Sequence, residues 1–134
     1  MYTKQFELPT HSHSAMINIS RQVKEIVKES GIVDGLVTVF CPHTTGAITI
    51  NENADPDVVD DMLTQLDKMV PWRQSFYAHS EGNSAAHVKS SMFGASETIP
   101  LHDGKLVVGV WQGIYFCEFD GPRTRKCIVS ILGQ

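Results

Sequence analysis

Three histidines in this chain, His43, His79 and His87, stand among small polar residues: Thr44 and Thr45, Ser80 and Glu81, and Ser84, Ser90 and Ser91. Neutral imidazole offers a lone pair at modest desolvation cost. If the three converge, they form a ligand set for a borderline ion such as zinc, with the hydroxyls orienting the other ring nitrogens. Glu52 closes an apolar run and has no helix to cap, so beside a metal-bound water it would serve as a general base. Phosphate donors are also present: Lys89, Lys105, Arg123, the hydroxyls of Ser84, Ser90 and Ser91, and the free N–H groups of a helix start near Asn83. Taken alone, any one histidine is more often structural than a ligand. His11 and His13, in the stretch H-S-H-S, fit an exposed loop, and His102 has no comparable setting.

Regular elements must aim these groups. The stretch V-T-V-F-C over residues 37–41 and A-I-T-I-N over 47–51 predict two strands, with Pro42 in the joint between them unable to donate to a ladder. Asp55 then caps a helix, Pro56 takes its first position, and Asp57 complements the dipole. On that helix Val58, Val59, Met62, Leu63, Leu66, Met69 and Val70 form one apolar arc. At about 100° per residue Asp60 and Asp61 fall just beyond its two edges, so both stay as candidates. Ile19, Val23, Ile26 and Val27 recur at helical spacing between Asn18 as a cap and Gly31 as a stop. A short helix is expected after Asn83 or Ser84, ending near Gly94. Strands are expected over residues 2–8, 96–100, 105–111, 114–119 and 126–132. The result is one α+β domain, residues 1–134, dominated by antiparallel strands.

Composition narrows the functional classes. The 134 residues carry a net charge of −4 and 42% hydrophobic residues, which suits one ordered domain and argues against nucleic acid as a partner. Cys41, Cys117 and Cys127 lie in apolar stretches without C-x-x-C spacing and read as buried thiols of a reducing compartment. No signal-peptide core and no membrane-length apolar stretch is seen, so a cytoplasmic protein is expected. Neither a P-loop nor a G-x-S-x-G elbow is present. Trp111 and Gln112 are candidates for a pocket wall, Asp120 for turn chemistry, and Glu118 is open.

Three motifs carry a resemblance: H-T-T-G-A-I-T-I-N-E-N-A-D-P-D-V over residues 43–58, E-G-N-S-A-A-H-V-K-S-S over 81–91, and G-V-W-Q-G-I-Y-F-C-E-F-D-G-P-R over 109–123. In this order they resemble the YjbQ family, whose members are named secondary thiamine-phosphate synthases. The resemblance implies a β-rich α+β fold assembled as a homotrimer. It also implies a weak activity joining a pyrimidine methyl pyrophosphate to a thiazole phosphate, with release of pyrophosphate. Position by position the family's polar motif residues include His43, Glu52, His79, His87 and Lys89; with the residue chemistry above, Glu52, His43 and Lys89 are expected to be catalytic and His43, His79 and His87 to be metal ligands. Asn51, Asp60, Asp61, Glu81, Ser84, Ser90, Ser91, Trp111 and Gln112 are then expected at the substrate. Gly46 before Ala47 reverses the family's usual order, and Val110 stands where threonine is usual.

The cofactor is in tension with the chemistry. Pyrophosphate departure usually draws on Mg²⁺, whereas three imidazoles suit Zn²⁺, so zinc is expected at the histidines and magnesium with the substrate. The alternative is that the histidines donate hydrogen bonds to a phosphate and hold no ion. Two other functions stand beside the synthase: a metal-dependent hydrolase using Glu52, and a non-catalytic small-molecule binding protein.

Overall fold

Eight strands and three helices follow one another as β1 (Tyr2–Pro9), β2 (Ala15–Asn18), α1 (Ser20–Ser30), β3 (Gly35–Phe40), β4 (Gly46–Glu52), α2 (Pro56–Met69), α3 (Ser84–Phe93), β5 (Ser96–His102), β6 (Lys105–Leu106), β7 (Gln112–Glu118) and β8 (Thr124–Gly133). This computed structural model describes residues Met1–Gln134. The strands form two antiparallel sheets, β1-β8-β3-β5-β6 and β2-β7-β4, giving the expected α+β architecture.

Side-chain alternation along the strands builds two cores. Val37, Val39, Val129 and Ile131 of the large sheet meet Ile48, Ile114 and Phe116 of the small one, with Val23 and Val27 of α1 closing the layer. The opposite face of the small sheet, through Ala47, Tyr115 and Cys117, takes Leu66 of α2 and Ala86 of α3. Strand β7 is therefore apolar on both faces and buried over six consecutive residues from Gly113 to Glu118. All three cysteines are buried and free; burial raises Cys41 to about 11 and Cys127 to about 12, and pushes Cys117 up as well.

The helix ends follow local chemistry. Asp55 accepts from the Asp57 N–H at 2.9 Å with Pro56 behind it, as expected. Gly31 stops α1 in the left-handed region at φ 71°. Asn18, expected to cap α1, is the last residue of β2, and Ile19 occupies the cap position, although the Asn18 Oδ1 still accepts from the Ser20 N–H at 2.9 Å. The short strand β2 escaped the sequence because four residues carry too little periodicity against a flanking H-S-H-S loop. The strand expected over residues 105–111 shrinks to β6. Beyond the Val107 N–H, which reaches the Pro100 carbonyl at 2.8 Å, the chain leaves the sheet and exposes Val110 and Trp111.

The outward face of the large sheet has an unusual composition. Three cross-strand rows, Leu132-Leu36-Pro100, Thr3-Ser130-Thr38-Thr98 and Gln5-Ile128-Phe40-Ser96, contain no charged residue. Thr3 and Ser130, and Thr38 and Thr98, join their hydroxyls along the middle row. Charge returns at both ends of these rows, where Glu7 faces Lys126 and where His102 faces Lys105 and bonds Asp34. No helix of the chain is long and apolar enough to cross a membrane.

Candidate functional site

Strands β3 and β4 belong to different sheets, so residues 41–45 carry the chain from one layer to the other, and His43 sits at that crossing. The crossing is pinned from below. The Cys41 N–H reaches the Ala95 carbonyl at 2.8 Å, and the Thr45 carbonyl accepts from the Phe119 N–H at 3.2 Å. Gly46 is needed for the return into β4, because a Cβ there would stand 3.1 Å from the Phe116 ring and 3.2 Å from the Cys41 sulfur. From the other side, a turn closed by the Gly82 N–H and the His79 carbonyl sets His79 and Glu81 above the start of α3. His87 projects from the first turns of that helix.

The three histidines share one cleft of about 510 Å³, together with Thr44, Thr45, Glu81, Asn83, Arg123 and Arg125, and no hydrophobic side chain lines it. The rings of His79 and His87 meet edge to face, 5.5 Å between centroids. A smaller neighbouring cleft of about 300 Å³ shares His43, Thr44 and His87 and adds Ser90 and Ser91. On the other flank a cleft of about 580 Å³ shares His79 and Glu81 and is walled by Trp72 and Tyr77. Beside these clefts two buried polar atoms, Asn83 Oδ1 and Ser90 Oγ, have no hydrogen-bond partner within the protein, an uncommon state.

Below the cleft lies a network absent from the sequence reading. The Arg125 guanidinium is fixed by Glu118, which accepts from its Nε at 2.9 Å and also from its Nη2; Nη2 donates in addition to the Thr45 Oγ1 at 2.9 Å. Glu118 accepts from the Thr10 hydroxyl at 2.7 Å and from the Asp120 N–H at 3.1 Å. Asp120 in turn receives Asn83 at 2.8 Å and the Arg123 Nη2 at 2.9 Å, so it is more than a turn residue. Glu118 and Arg125 are both buried, yet the Arg125 Nη1 makes no hydrogen bond within the protein and the residue lines the cleft. Burial alone would raise the Glu118 carboxyl. Hydrogen bonds from Arg125, Thr10 and the Asp120 N–H, with the Arg125 charge, outweigh it and hold the group below the usual carboxylate range. A sequence signal for Arg125 did exist: it shares the inward parity of Cys127, Val129 and Ile131 on β8, where an arginine needs a buried acid.

His43 decides what the cleft offers. Its Nε2 accepts a hydrogen bond from the Lys126 backbone N–H at 2.9 Å. In the neutral ring the proton therefore sits on Nδ1, which is a donor rather than a lone pair. Burial first, and then the Arg125 charge, push the His43 pKa below its ordinary value, which favours that neutral form. No three His, Cys, Asp or Glu side chains are placed to share an ion. In this arrangement the three-histidine set does not fit a metal, because His43 would have to surrender either its proton or its Lys126 contact.

The remaining expected residues separate into groups. Lys89 does not line the histidine clefts: it is buried on the far side of α3, paired with Asp67 and 6.0 Å from the Phe119 ring centroid. Glu52, Asn51 and Gln112 sit at the opposite end of β4, where Glu52 pairs in register with Gln112, its carbonyl accepts from the Tyr115 hydroxyl, and Asn51 accepts from the Glu52 N–H. Six strand steps put that end about 20 Å from Gly46. Trp111 is exposed beside this group. Asp60 is exposed on α2, and Asp61 borders a shallow cleft with Met62 and Phe93. Ser84 opens α3 and is half-buried.

A protein-family model described as UPF0047 protein YjbQ-like matches residues 4–134. The UPF0047 protein YugU of Bacillus subtilis is 51% identical over 130 residues, covering 97% of this chain and 98% of that protein. A UPF0047 protein of Methanocaldococcus jannaschii is 44% identical over 97% of this chain and 94% of its own. Among solved structures, a YjbQ/UPF0047 family protein of Clostridium acetobutylicum superposes with a TM-score of 0.94 at 53% identity, covering 96% of this chain and 99% of its own. A YbjQ-like protein of unknown function from Sulfolobus solfataricus superposes with a TM-score of 0.95 at 34% identity, over 99% and 97% of the two chains.

Proposed function

The chain belongs to the UPF0047 YjbQ-like family, and from that premise we propose that the histidine cleft binds the pyrophosphate of an aromatic substrate and supports its departure, as in a thiamine-phosphate synthase. The observation that carries this reading is the cleft wall: three imidazoles and two arginines face one cavity without a hydrophobic side chain, and the Arg125 Nη1 is unengaged. In such a transfer the thiazole nitrogen attacks the methylene carbon of the pyrimidine, a C–N bond forms, and the C–O bond to pyrophosphate breaks with its electron pair leaving on the oxygen. No proton has to move at the reacting atoms. What the site must supply is charge stabilisation of the leaving group, and fixed donors aimed at developing charge are suited to that.

The roles follow from position. Arg125 is held rigid by Glu118 and presents Nη1, His43 presents Nδ1–H, and Arg123 adds a cation at the rim. Ser90 and Ser91 extend the donor surface along α3. The adjoining cleft with Trp72 and Tyr77 gives an aromatic ring somewhere to lie while its pyrophosphate reaches the histidines. Magnesium belongs to the pyrophosphate as it arrives. Glu52 stands away from the histidines, so no observation favours the water-activating hydrolase.

The test supplies the purified chain with the pyrimidine methyl pyrophosphate, the thiazole phosphate and Mg²⁺, and follows thiamine phosphate and released pyrophosphate together. Equal amounts of both products are expected. Saturable pyrophosphate binding without turnover would instead make this a binding protein, and neither binding nor turnover would end the reading.

The charge-free outer sheet face is the surface that a homotrimer would bury, and through Lys126 it runs up to His43. Light scattering at low micromolar concentration is expected to give three chains per particle, and Thr38→Lys, in the middle row, is expected to shift the mass toward the monomer. A monomer mass for the wild type would rule out the trimer.

A further inference from the structure

A second concavity lies at the opposite end of β3 from His43. It has a volume of about 610 Å³, larger than the histidine cleft, and no residue of that cleft borders it. It exists because two elements stop early. Helix α1 ends at Gly31, and β6, the edge of the large sheet, is only two residues long, so neither covers the margin of the core at Val27, Ile32 and Leu106. Val33 and Val108 stand exposed as its walls. Gly31 leaves open space where a side chain would reach in.

Three cations ring this apolar floor: Lys24 and Lys28, one turn apart on α1, and Lys105 on β6. None of them has an acidic partner. Of the carboxylates near them in sequence, Glu25 pairs with Arg21, Glu29 with Lys4, and Asp34 with His102 and the Asp103 N–H, while the exposed Asp103 carboxylate pairs with none of the three lysines. In a chain of net charge −4, three uncompensated lysines around its most voluminous apolar concavity are a local reversal of sign. Small-molecule sites of roughly 300–1,000 Å³ are built this way, an apolar body with a few polar groups that fix orientation.

We infer that this groove is a binding site for an anionic amphiphile, a molecule with a medium-length hydrocarbon chain and a carboxylate or phosphate head. The chain lies over Val27, Ile32 and Leu106 and is walled by Val33 and Val108. The head sits among Lys24, Lys28 and Lys105. The lysine stems lengthen the apolar walls while their ammonium groups stay in water. The groove shares no residue with the cleft proposed for pyrophosphate at His43.

Isothermal titration below the critical micelle concentration tests it, using decanoate, decyl phosphate, decanol and decyltrimethylammonium as probes. Decanoate and decyl phosphate are expected to bind saturably with one site per chain, and the tighter of the two identifies the head. Decanol and the cationic amphiphile are expected to bind at least about tenfold more weakly, and the triple variant Lys24→Glu/Lys28→Glu/Lys105→Glu should weaken decanoate by a similar factor. The three positions are exposed, so the variant is expected to melt near the wild type. A second variant, Val108→Asp, should weaken all four probes. Unsaturable decanoate binding, or undiminished affinity in the triple variant, overturns the assignment. So does loss of decanoate binding in His43→Ala, or a change of particle mass in Lys28→Glu, which would mean that another copy of the chain covers the groove.

Discussion

Replacing Arg125 by methionine is expected to lower the unfolding free energy by about 3–5 kcal/mol, the usual loss when one member of a buried ion pair is removed. The reason is Glu118, fully buried beneath the histidine cleft, whose charge would keep only the Thr10 hydroxyl and the Asp120 N–H as donors. Thr45 would lose a donor to its hydroxyl and another to its carbonyl. The pH dependence identifies the cause. In the wild type the Glu118 pKa is lowered, so its contribution is fully present above the unfolded carboxylate value and is lost as pH falls through the lower folded one. In the variant burial is no longer outweighed, the pKa rises above the unfolded value, and the penalty fades as acid protonates the group. Urea denaturation should therefore show a gap between the two proteins that is widest near pH 7 and narrows toward pH 4. Adding Glu118→Gln to Arg125→Met should recover much of the loss, since the uncompensated charge is gone. A gap below about 1 kcal/mol, or one that ignores pH, would mean that Arg125 is not holding a charged Glu118.

This pair also shows how far the sequence could be read. The helix starting at Asp55-Pro56 and the stop at Gly31 were legible, because caps and left-handed stops are written in single residues with local reasons. The convergence of His43, His79 and His87 on one cleft, expected from the family resemblance and found here, is not written in any local pattern. It depends on β3 and β4 lying in different sheets and on α3 packing beside β4. Lys89 is the instructive opposite case. As a basic residue in a motif of serines it invited a phosphate role, but on α3 it lies beside Ala85, Ala86 and Ser90 on the buried side and is drawn to Asp67. Only helical phase separates it from His87, two positions earlier, and that phase was ambiguous without knowing which side faced the sheet. The arginine that does reach the cleft, Arg125, stands in a group of three basic residues near the C-terminus, Arg123, Arg125 and Lys126, and only the placing of β8 in the middle of a sheet tells it from the other two.

The second large effect is expected at His43. His43→Ala should reduce kcat for thiamine phosphate formation by about 10²–10³, the usual loss for one preorganised donor at a site of developing negative charge. The effect on stability should be small, since the half-buried ring makes one hydrogen bond, from the Lys126 N–H, worth about 1 kcal/mol. Because burial and Arg125 lower the His43 pKa, the folded ring stays neutral at pH values where the unfolded one takes up a proton. Its contribution to stability is thus complete above the ordinary histidine value and is lost as pH falls through the folded one. A neutral Nδ1–H donor also gives a rate with no decline between pH 7 and 8.5 traceable to this residue. An imidazolium acid would instead lose activity as pH rose through its pKa. His43→Gln, which can still donate from its amide, should retain more activity than His43→Ala at unchanged metal content. Elemental analysis provides the opposing outcome. If the purified wild type holds one zinc per chain and His43→Ala holds none, His43 is a ligand through a freed ring nitrogen, and the donor role assigned to its Nδ1–H is wrong.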